Sequence, residues 1–269
     1  MTWILAALAV VVLGGLAWGH FEAGWVRLRT LAVPLDRLPP ELDGLRIVHL
    51  ADLHLGVPSR GAHAVERAVE WARERNPDLV LLSGDLLSRP AGEKRLRELV
   101  AGLPNCYAIL GNHDFAHSRD PFSQPVTLRD LEPAHLLLDE EVTLEVRGKR
   151  VQIVGVDPRS YLAGDSRPAE RSDPSADLRI LLCHFPHVID RLPAGAFDLV
   201  LSGHLHDGQI CIPFPGGKVR LAHMSSRYTK GLYRRPGGTL HLSSGLGTTF
   251  VPFRFCARPE ATELVLHST

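Results

Sequence analysis

Short apolar runs recur along the chain, and many of them end in a turn that carries an acidic or histidine side chain. Five of these runs predict β-strands, at Leu45–Leu50, Asp78–Leu82, Cys106–Leu110, Leu178–Leu182 and Phe197–Leu201. Two segments between them, Gly61–Asn76 and Glu93–Leu103, repeat apolar residues at helical spacing. Strands that alternate with amphipathic helices predict a protein of the α/β class.

The second half of the chain has shorter elements. Val142–Val146 and Arg150–Val156 flank Arg147-Gly148-Lys149 and predict a hairpin. Phe185–Leu192 predicts a short helix, and Pro158–Ala176, which is rich in Pro, Ser, Arg and Asp, predicts a loop or flap. Further strands are predicted at Lys218–Leu221, Thr239–Leu242 and Thr262–His267. Short strands therefore dominate the C-terminal part.

The N-terminal segment differs from the rest, because Thr2 to Phe21 contains no charged side chain. At about 1.5 Å per helical residue, such a run reaches roughly 30 Å, the thickness of a hydrocarbon core. Trp3 and Trp18 bracket the run, as interfacial aromatic residues do. We predict a transmembrane anchor over residues 1–22, a juxtamembrane linker over residues 23–43 and one catalytic domain over residues 44–269.

A cleaved signal peptide is the alternative to an anchor. It would have positive charge before the apolar run and a small-x-small cleavage site after it. The nearest site, Ala17-Trp18-Gly19, is poor, and the basic residues Arg27 and Arg29 follow the run. The positive-inside rule then predicts a single-pass protein of the inner (cytoplasmic) membrane with the catalytic domain in the cytoplasm.

Overall charge and cysteine content exclude some classes of function. The 30 basic and 30 acidic residues balance, so no global field favours nucleic acid and no nucleic-acid partner is expected. The four cysteines lack C-x-x-C spacing, which weakly favours a reducing compartment. No G-x-x-x-x-G-K-[ST] motif is present, which disfavours a nucleotide-driven motor.

Candidate metal ligands follow each of the five predicted strands. They lie in Asp52-Leu53-His54, Gly84-Asp85, Gly111-Asn112-His113-Asp114, Cys183-His184 and Gly203-His204-Leu205-His206. Any one of these segments is as readily an ordinary turn, but side chains that follow the carboxyl ends of strands converge at one edge of a sheet. Carboxylate, imidazole and amide donors suit manganese, iron or zinc. The set exceeds the four ligands of one tetrahedral zinc, which favours two bridged ions.

In this order the motifs resemble those of the calcineurin-like metallophosphoesterases, D-x-H, G-D, G-N-H-[DE], H and G-H-x-H. The resemblance runs from about Leu45 to Leu266. It implies a four-layer α/β/β/α sandwich, with two sheets packed face to face and helices outside. It also implies a two-metal phosphoester hydrolase, in which a hydroxide that bridges the metals attacks phosphorus in line.

The resemblance also implies a role for each residue. The first ion would be held by Asp52, His54, Asp85 and His206. The second would be held by Asp85, Asn112, His184 and His204. His113 would act on the substrate phosphate or protonate the leaving oxygen, and Asp114 would orient His113. Manganese is the expected metal, with iron or zinc as alternatives.

The C-terminal part resembles a membrane-anchored bacterial subfamily, through Ser244-Gly245-Leu246-Gly247-Thr248-Thr249 and Pro252-Phe253-Arg254-Phe255. That subfamily includes enzymes that split UDP-2,3-diacylglucosamine during lipid A synthesis. The expected partners are thus the lipid bilayer and a phosphate-containing lipid or nucleotide-lipid substrate. The chain departs from the subfamily at Asp207 and Ser244, where Gly and Arg are usual. A phosphodiesterase for soluble substrates and a non-catalytic scaffold of the same fold are the alternatives, and the sequence leaves the oligomeric state open.

Overall fold

Two six-stranded sheets form the centre of the protein, in a computed structural model that describes residues 2–115 and 117–269. The first sheet has the spatial order β1 (Arg27–Leu35), β14 (Glu260–Ser268), β2 (Arg46–Leu50), β3 (Leu79–Ser83), β4 (Cys106–Ile109) and β5 (His135–Leu136). The second has the order β12 (Gly231–Arg235), β13 (Gly238–Leu242), β9 (Leu199–Ser202), β8 (Leu178–Leu182), β7 (Lys149–Gly155) and β6 (Glu140–Val146). A separate hairpin joins β10 (Cys211–Phe214) to β11 (Gly217–Arg220). The α-helices are α1 (Thr2–Gly24), α2 (Gly61–Arg75), α3 (Glu93–Val100) and α4 (Pro158–Ala163).

Side chains of the first sheet point alternately to its two faces, and each face packs into a different hydrophobic core. Ile47 and Leu79 point into the core between the two sheets, together with Ile180 of β8. Their neighbours Val48 and Val80 point the other way, into a core formed with α2 and α3. Successive residues of a strand face opposite sides, so fully apolar strands are the expected sequence for a sheet that is covered on both faces.

The outer face of the second sheet is covered by short helical segments and loops. Leu181 and Val200 pack there against Ile189 and the partly buried Tyr161 of α4. This layer completes the α/β/β/α sandwich and confirms the expected fold class. The short helix expected over Phe185–Leu192 is a 3-10 turn, Pro186–Asp190.

The expected loop over Pro158–Ala176 was only partly right. It contains α4 and a 3-10 turn at Pro168–Arg171. Asp157 caps α4 by accepting a hydrogen bond from the backbone N–H of Arg159 at 2.8 Å, and Pro158 follows at the first helical position. This cap-and-proline signal is typical of helix starts, but the helix is too short to show apolar periodicity.

The expected linker over residues 23–43 was wrong in its central part, which forms β1. This strand pairs in parallel with β14, with Arg27 opposite Glu260 and Leu35 opposite Ser268. Pro34 lies within it, and proline is tolerated there because β1 is an edge strand. Because the pairing partner of β1 is so distant along the chain, no local sequence pattern indicates the pairing. The proline-containing segment therefore looked like a linker.

Helix α1 is long and apolar enough to cross a membrane, by its length and composition. Most of its residues are exposed, but Gly19, Glu22 and Ala23 are buried against the rest of the protein. The Glu22 carboxylate accepts a hydrogen bond from the backbone N–H of Ala257 at 2.8 Å. The Gly19 carbonyl accepts one from the backbone N–H of Arg254 at 3.0 Å. The end of α1 is therefore attached to the catalytic domain by specific bonds.

Candidate metal centre

Every sequence-predicted ligand lies just beyond the end of a strand, at the shared edge of the two sheets. β2 leads to Asp52 and His54, β3 to Asp85 and β4 to Asn112, while β8 and β9 of the second sheet lead to the three remaining histidines. Five ligand candidates have positive φ, namely Asp52, His54, Asp85, His204 and His206. Such a backbone conformation costs of order 1–3 kcal/mol per residue and is concentrated at functional sites.

The first group of ligands consists of Asp52, His54, Asp85 and His206, all of them buried. The Nε2 atom of His54 lies 3.1 Å from Nε2 of His206 and 3.5 Å from Oδ2 of Asp85. When two ligand atoms each lie about 2.0–2.2 Å from the same metal ion, the distance between the two atoms is expected to be roughly 3–3.5 Å. These four side chains can therefore hold one ion.

The second group consists of Asp85, His184 and His204. His184 Nε2 lies 3.2 Å from the same Asp85 Oδ2 that faces His54. The other ring nitrogen of His184, Nδ1, lies 2.9 Å from the Ser83 carbonyl. Nδ1 therefore carries a proton that it donates to this carbonyl, which leaves Nε2 as the ring nitrogen that would face an ion. Asp85 belongs to both groups, as expected of a carboxylate that bridges two ions.

Two buried polar atoms near this cluster have no hydrogen-bond partner within the described residues: Asp52 Oδ2 and Asn112 Oδ1. A buried polar atom without a partner costs about 1–3 kcal/mol, and more when the group is charged. Both are oxygens of the kinds that coordinate cations. The donor set therefore fits a dinuclear metal centre, and the Asn112 amide oxygen is a further donor of a suitable kind.

Small residues allow the backbone to approach the carboxylates. A Cβ atom at Gly203 would lie 2.6 Å from Asp52 Oδ2. One at Gly111 would collide with Asp85 Oδ1. The amides nearby then donate to the same carboxylates, from His204 to Asp52 Oδ1 at 2.8 Å and from His113 to Asp85 Oδ1 at 2.8 Å. These bonds orient both carboxylates without using their remaining oxygens.

Burial and charge shift the pKa values of the cluster in opposite directions. Burial raises the pKa of Asp52 to about 7, although the charge of His184 opposes the shift. Burial also acts on Asp85, but the charges of His184 and His113 outweigh it and hold its pKa well below the usual range. Burial lowers the pKa of His184, yet Asp85 and Asp52 outweigh it and raise that pKa to about 9. Without cations, a protonated imidazole thus balances the carboxylates, and bound cations would take over this role.

His54, His204 and His206 remain neutral in this environment. Burial is the largest cause, and it holds the pKa of all three imidazoles well below the usual range. A neutral imidazole has a free lone pair, which is the form that binds metal. The site is therefore prepared electrostatically to accept cations through these three rings.

His113 lies beside the ligands and is buried, with its ring centroid 4.7 Å from that of His54. Its Nδ1 atom lies 2.7 Å from the Ser123 hydroxyl, and its Nε2 atom lies 3.1 Å from the Ser118 hydroxyl. The serine side chains hold the ring in place, and each can donate or accept, so either ring nitrogen can carry the proton.

Asp114 does not have the geometry of a residue that orients His113. Its carboxylate accepts hydrogen bonds from the backbone N–H groups of Gly111 at 2.8 Å, Leu86 at 3.1 Å and Leu87 at 2.7 Å. Among the hydrogen bonds of the described residues, none joins Asp114 to the His113 ring. Asp114 instead ties the turn after β4 to the turn after β3. The orienting contacts come from serines, which no local sequence pattern distinguishes from ordinary turn residues.

Two more contacts behind the ligands were not foreseen. The Ser88 hydroxyl lies 2.9 Å from His54 Nδ1, which directs Nε2 of that ring toward the cluster. Arg254 is fully buried and donates to the carbonyls of Gly247, Ser244 and Ala257. Burial lowers the pKa of its guanidinium to about 10. Its Nη2 lies 3.2 Å from His206 Nδ1, so the C-terminal loop contacts a candidate ligand directly.

The departure from the subfamily pattern at Asp207 has a structural explanation. Asp207 has φ 52°, the left-handed conformation that glycine adopts most easily. Its carboxylate is buried between two lysines, 2.6 Å from Lys218 Nζ and 2.8 Å from Lys230 Nζ. At Ser244 only the backbone carbonyl is used, as an acceptor from Arg254, and nothing in the structure explains serine at this position. Asp207 therefore binds neighbouring segments of the protein.

The shared carboxylate allows a prediction about metal content. Asp85→Asn should lose both ions, because the charge that faces both groups is removed, whereas Asp52→Asn should chiefly weaken one ion. Elemental analysis of purified full-length protein would give the metal content per chain. Asp157→Asn is the matched control, since asparagine also caps helices well. Equal metal loss in the Asp52 and Asp85 variants would contradict the bridging assignment.

Comparison with known proteins agrees with this geometry. A family model described as calcineurin-like phosphoesterase matches residues 45–208. The uncharacterised metallophosphoesterase YkoQ of Bacillus subtilis is 28% identical over 248 residues, which cover 88% of this chain and 89% of that protein. The transmembrane protein with metallophosphoesterase domain of Danio rerio is 31% identical over 260 residues, 87% of this chain and 56% of that protein.

A third relative has a named substrate. The UDP-2,3-diacylglucosamine pyrophosphatase LpxG of Chlamydia trachomatis is 27% identical over 312 aligned positions, which cover 94% of this chain and 93% of that protein. The family model spans more than half of the chain, and its matched region contains all seven candidate metal ligands. The chain therefore belongs to the calcineurin-like phosphoesterases.

Proposed function

We propose that this phosphoesterase is a membrane-anchored phosphodiesterase or pyrophosphohydrolase that uses two divalent ions, with UDP-2,3-diacylglucosamine as the first candidate substrate. The observation that carries the proposal is the pair of ligand groups that share Asp85. The relative LpxG supplies the candidate substrate. Manganese is the first candidate metal, with iron or zinc as alternatives, since the donors are oxygen and nitrogen.

The first ion would be held by Asp52, His54, Asp85 and His206. The second would be held by Asp85, Asn112, His184 and His204. When bound, two such ions polarise a phosphoryl group and lower the pKa of water to near neutrality. The chain itself orients the ligands, through the backbone bonds to the carboxylates and the hydroxyl on His54.

His113 would serve as the general acid or as a donor to the substrate phosphate. Its Nδ1 is held by Ser123, and a substrate oxygen would take the place that the Ser118 hydroxyl occupies at Nε2. A proton on Nε2 would then pass to the leaving oxygen. General acid catalysis of this kind contributes about 10²–10⁴-fold in rate.

The anchor would keep the centre at the membrane surface. Helix α1 meets the length and composition needed to span a bilayer, and tethering raises the effective concentration of a substrate in the same bilayer. Arg27 and Arg29 follow the span and favour a catalytic domain on the cytoplasmic side. A periplasm-dependent reporter fused after Thr269 would then stay inactive, and an active reporter would reverse the orientation.

His113→Ala should retain both ions but lose about 10²–10⁴-fold in kcat, since the side chain touches substrate and no ion. Hydrolysis of bis(p-nitrophenyl) phosphate and metal analysis of the same samples would measure the two quantities. His63→Ala, at a position with 68% side-chain exposure on α2, is the matched control. Full activity of the His113 variant would remove this residue from the mechanism.

The lipid substrate can be tested on the full chain in mixed micelles. The acylated nucleotide-sugar should be hydrolysed with a kcat/KM about 10²-fold or more above that of UDP-glucosamine without acyl chains, because both enzyme and substrate are confined to the micelle. Mass spectrometry of products would show cleavage at the pyrophosphate. Equal rates on both compounds would leave a phosphodiesterase for soluble substrates. Metal binding without turnover of any phosphoester would favour the non-catalytic scaffold.

A further inference from the structure

The hairpin β10–β11 lies outside both sheets and exposes one apolar face. Ile212 is paired directly opposite Val219, and Phe214 is opposite Gly217. Residues that are opposite each other or two apart lie on the same face. Ile212, Phe214, Val219 and the following Leu221 are 55%, 52%, 48% and 51% exposed, respectively. Four large apolar side chains therefore share one solvent-facing surface.

The opposite face of this hairpin is polar and already bonded to the protein. Lys218 donates to the Asp207 carboxylate and to the Cys256 carbonyl, each at 2.6 Å. Arg220 donates to the carbonyls of Ser226 at 2.9 Å and Tyr228 at 3.1 Å. These bonds fix the orientation of the hairpin, so the apolar face cannot turn inward without breaking them.

The apolar surface continues toward the metal centre. Phe250 and Val251, which are 49% and 38% exposed, line one cavity together with Leu221 and the candidate ligand His206. The six residues Ile212, Phe214, Val219, Leu221, Phe250 and Val251 are called the apolar rim below. Contiguous exposed apolar surface of this kind marks an interaction site, and here it borders the mouth of the centre.

The base of the hairpin is also joined to the end of α1. The backbone N–H of Cys211, at the base of the hairpin, donates to the Phe255 carbonyl at 2.9 Å. The neighbouring Arg254 donates to the Gly19 carbonyl of α1 at 3.0 Å, and Gly19 lies directly against the Phe255 ring. One short loop thus connects the hairpin to the point where α1 leaves the domain.

We propose that the apolar rim is a second membrane contact, which rests on the lipid surface that α1 enters and opens the metal centre toward that surface. The proposal depends on the proposed anchoring but not on the chemical activity. A lipid surface is the favoured occupant because the loop that joins the hairpin to α1 places the rim beside the membrane-crossing helix. Apolar side chains of interfacial segments enter the boundary between headgroups and acyl chains by about 5–10 Å.

The experiment uses the full chain at one copy per nanodisc, made of about three parts phosphatidylethanolamine to one part phosphatidylglycerol. Cys256 is the exposed cysteine among the four, and the other three are buried, so Cys256→Ser provides a background for labelling. The environment-sensitive fluorophore NBD is then attached to Phe214→Cys or Val219→Cys. Val11→Cys in α1 is the positive control, and Glu145→Cys on the edge strand β6 is the exposed control on the second sheet.

Doxyl-labelled lipid should quench NBD at positions 214 and 219 about twofold or more relative to position 145, because the rim would lie within the reach of lipid-borne quenchers. Adding Ile212→Glu to the position-219 variant should reduce that quenching. If position 11 were quenched but positions 214 and 219 were quenched no more than position 145, the second membrane contact would be overturned and the anchor would stand. No quenching at position 11 would refute the anchor and the rim together. NBD at position 214 could instead be shielded from water only when each disc holds two copies. A second copy would then cover the rim, which would also overturn the proposal.

Discussion

The placement of several ionisable groups inside one buried cluster is the constraint on which the rest of this structure depends. Asp52, Asp85 and the surrounding imidazoles are removed from water, and buried charges are unfavourable unless they are paired or bind metal. The left-handed backbone at five candidate ligands and the glycines beside the carboxylates are consequences of bringing these groups together. The unpaired oxygens of Asp52 and Asn112 show that the protein alone does not satisfy the cluster.

Both sheets are required to build the centre. The turns after β2, β3 and β4 supply the carboxylates, one histidine and the amide, whereas the turns after β8 and β9 supply three histidines. The apolar core between the sheets holds these two sets of turns at a common edge. His184 illustrates the dependence, since it belongs to the second sheet but its ring is oriented by the Ser83 carbonyl of the first.

The C-terminal loop connects this centre to helix α1 and to the β10–β11 hairpin. Arg254 contacts His206 through its side chain and Gly19 of α1 through its backbone. Phe255, the next residue, pairs with the base of the β10–β11 hairpin. A path of a few bonded residues therefore runs from α1 to a candidate metal ligand. The apolar helix is thus physically continuous with the catalytic centre.

The sequence by itself determined the elements whose signals are local. Apolar runs followed by Asp, His or Asn marked the five strands and all seven candidate ligands, since a strand end and its turn are adjacent in the chain. The uncharged run after Met1 likewise predicted the apolar helix. These features depend on residue type and period, both of which can be read along a single segment.

Tertiary structure alone decided the features that depend on distant partners. β1 was mistaken for a linker because its hydrogen bonds go to β14, at the other end of the chain. Asp114 was expected to orient His113, but the fold brings the amides of Leu86 and Leu87 to its carboxylate and gives His113 to two serines. The exposed apolar face of β10–β11 was also invisible, because alternation shows which residues share a face but not which face the rest of the protein covers.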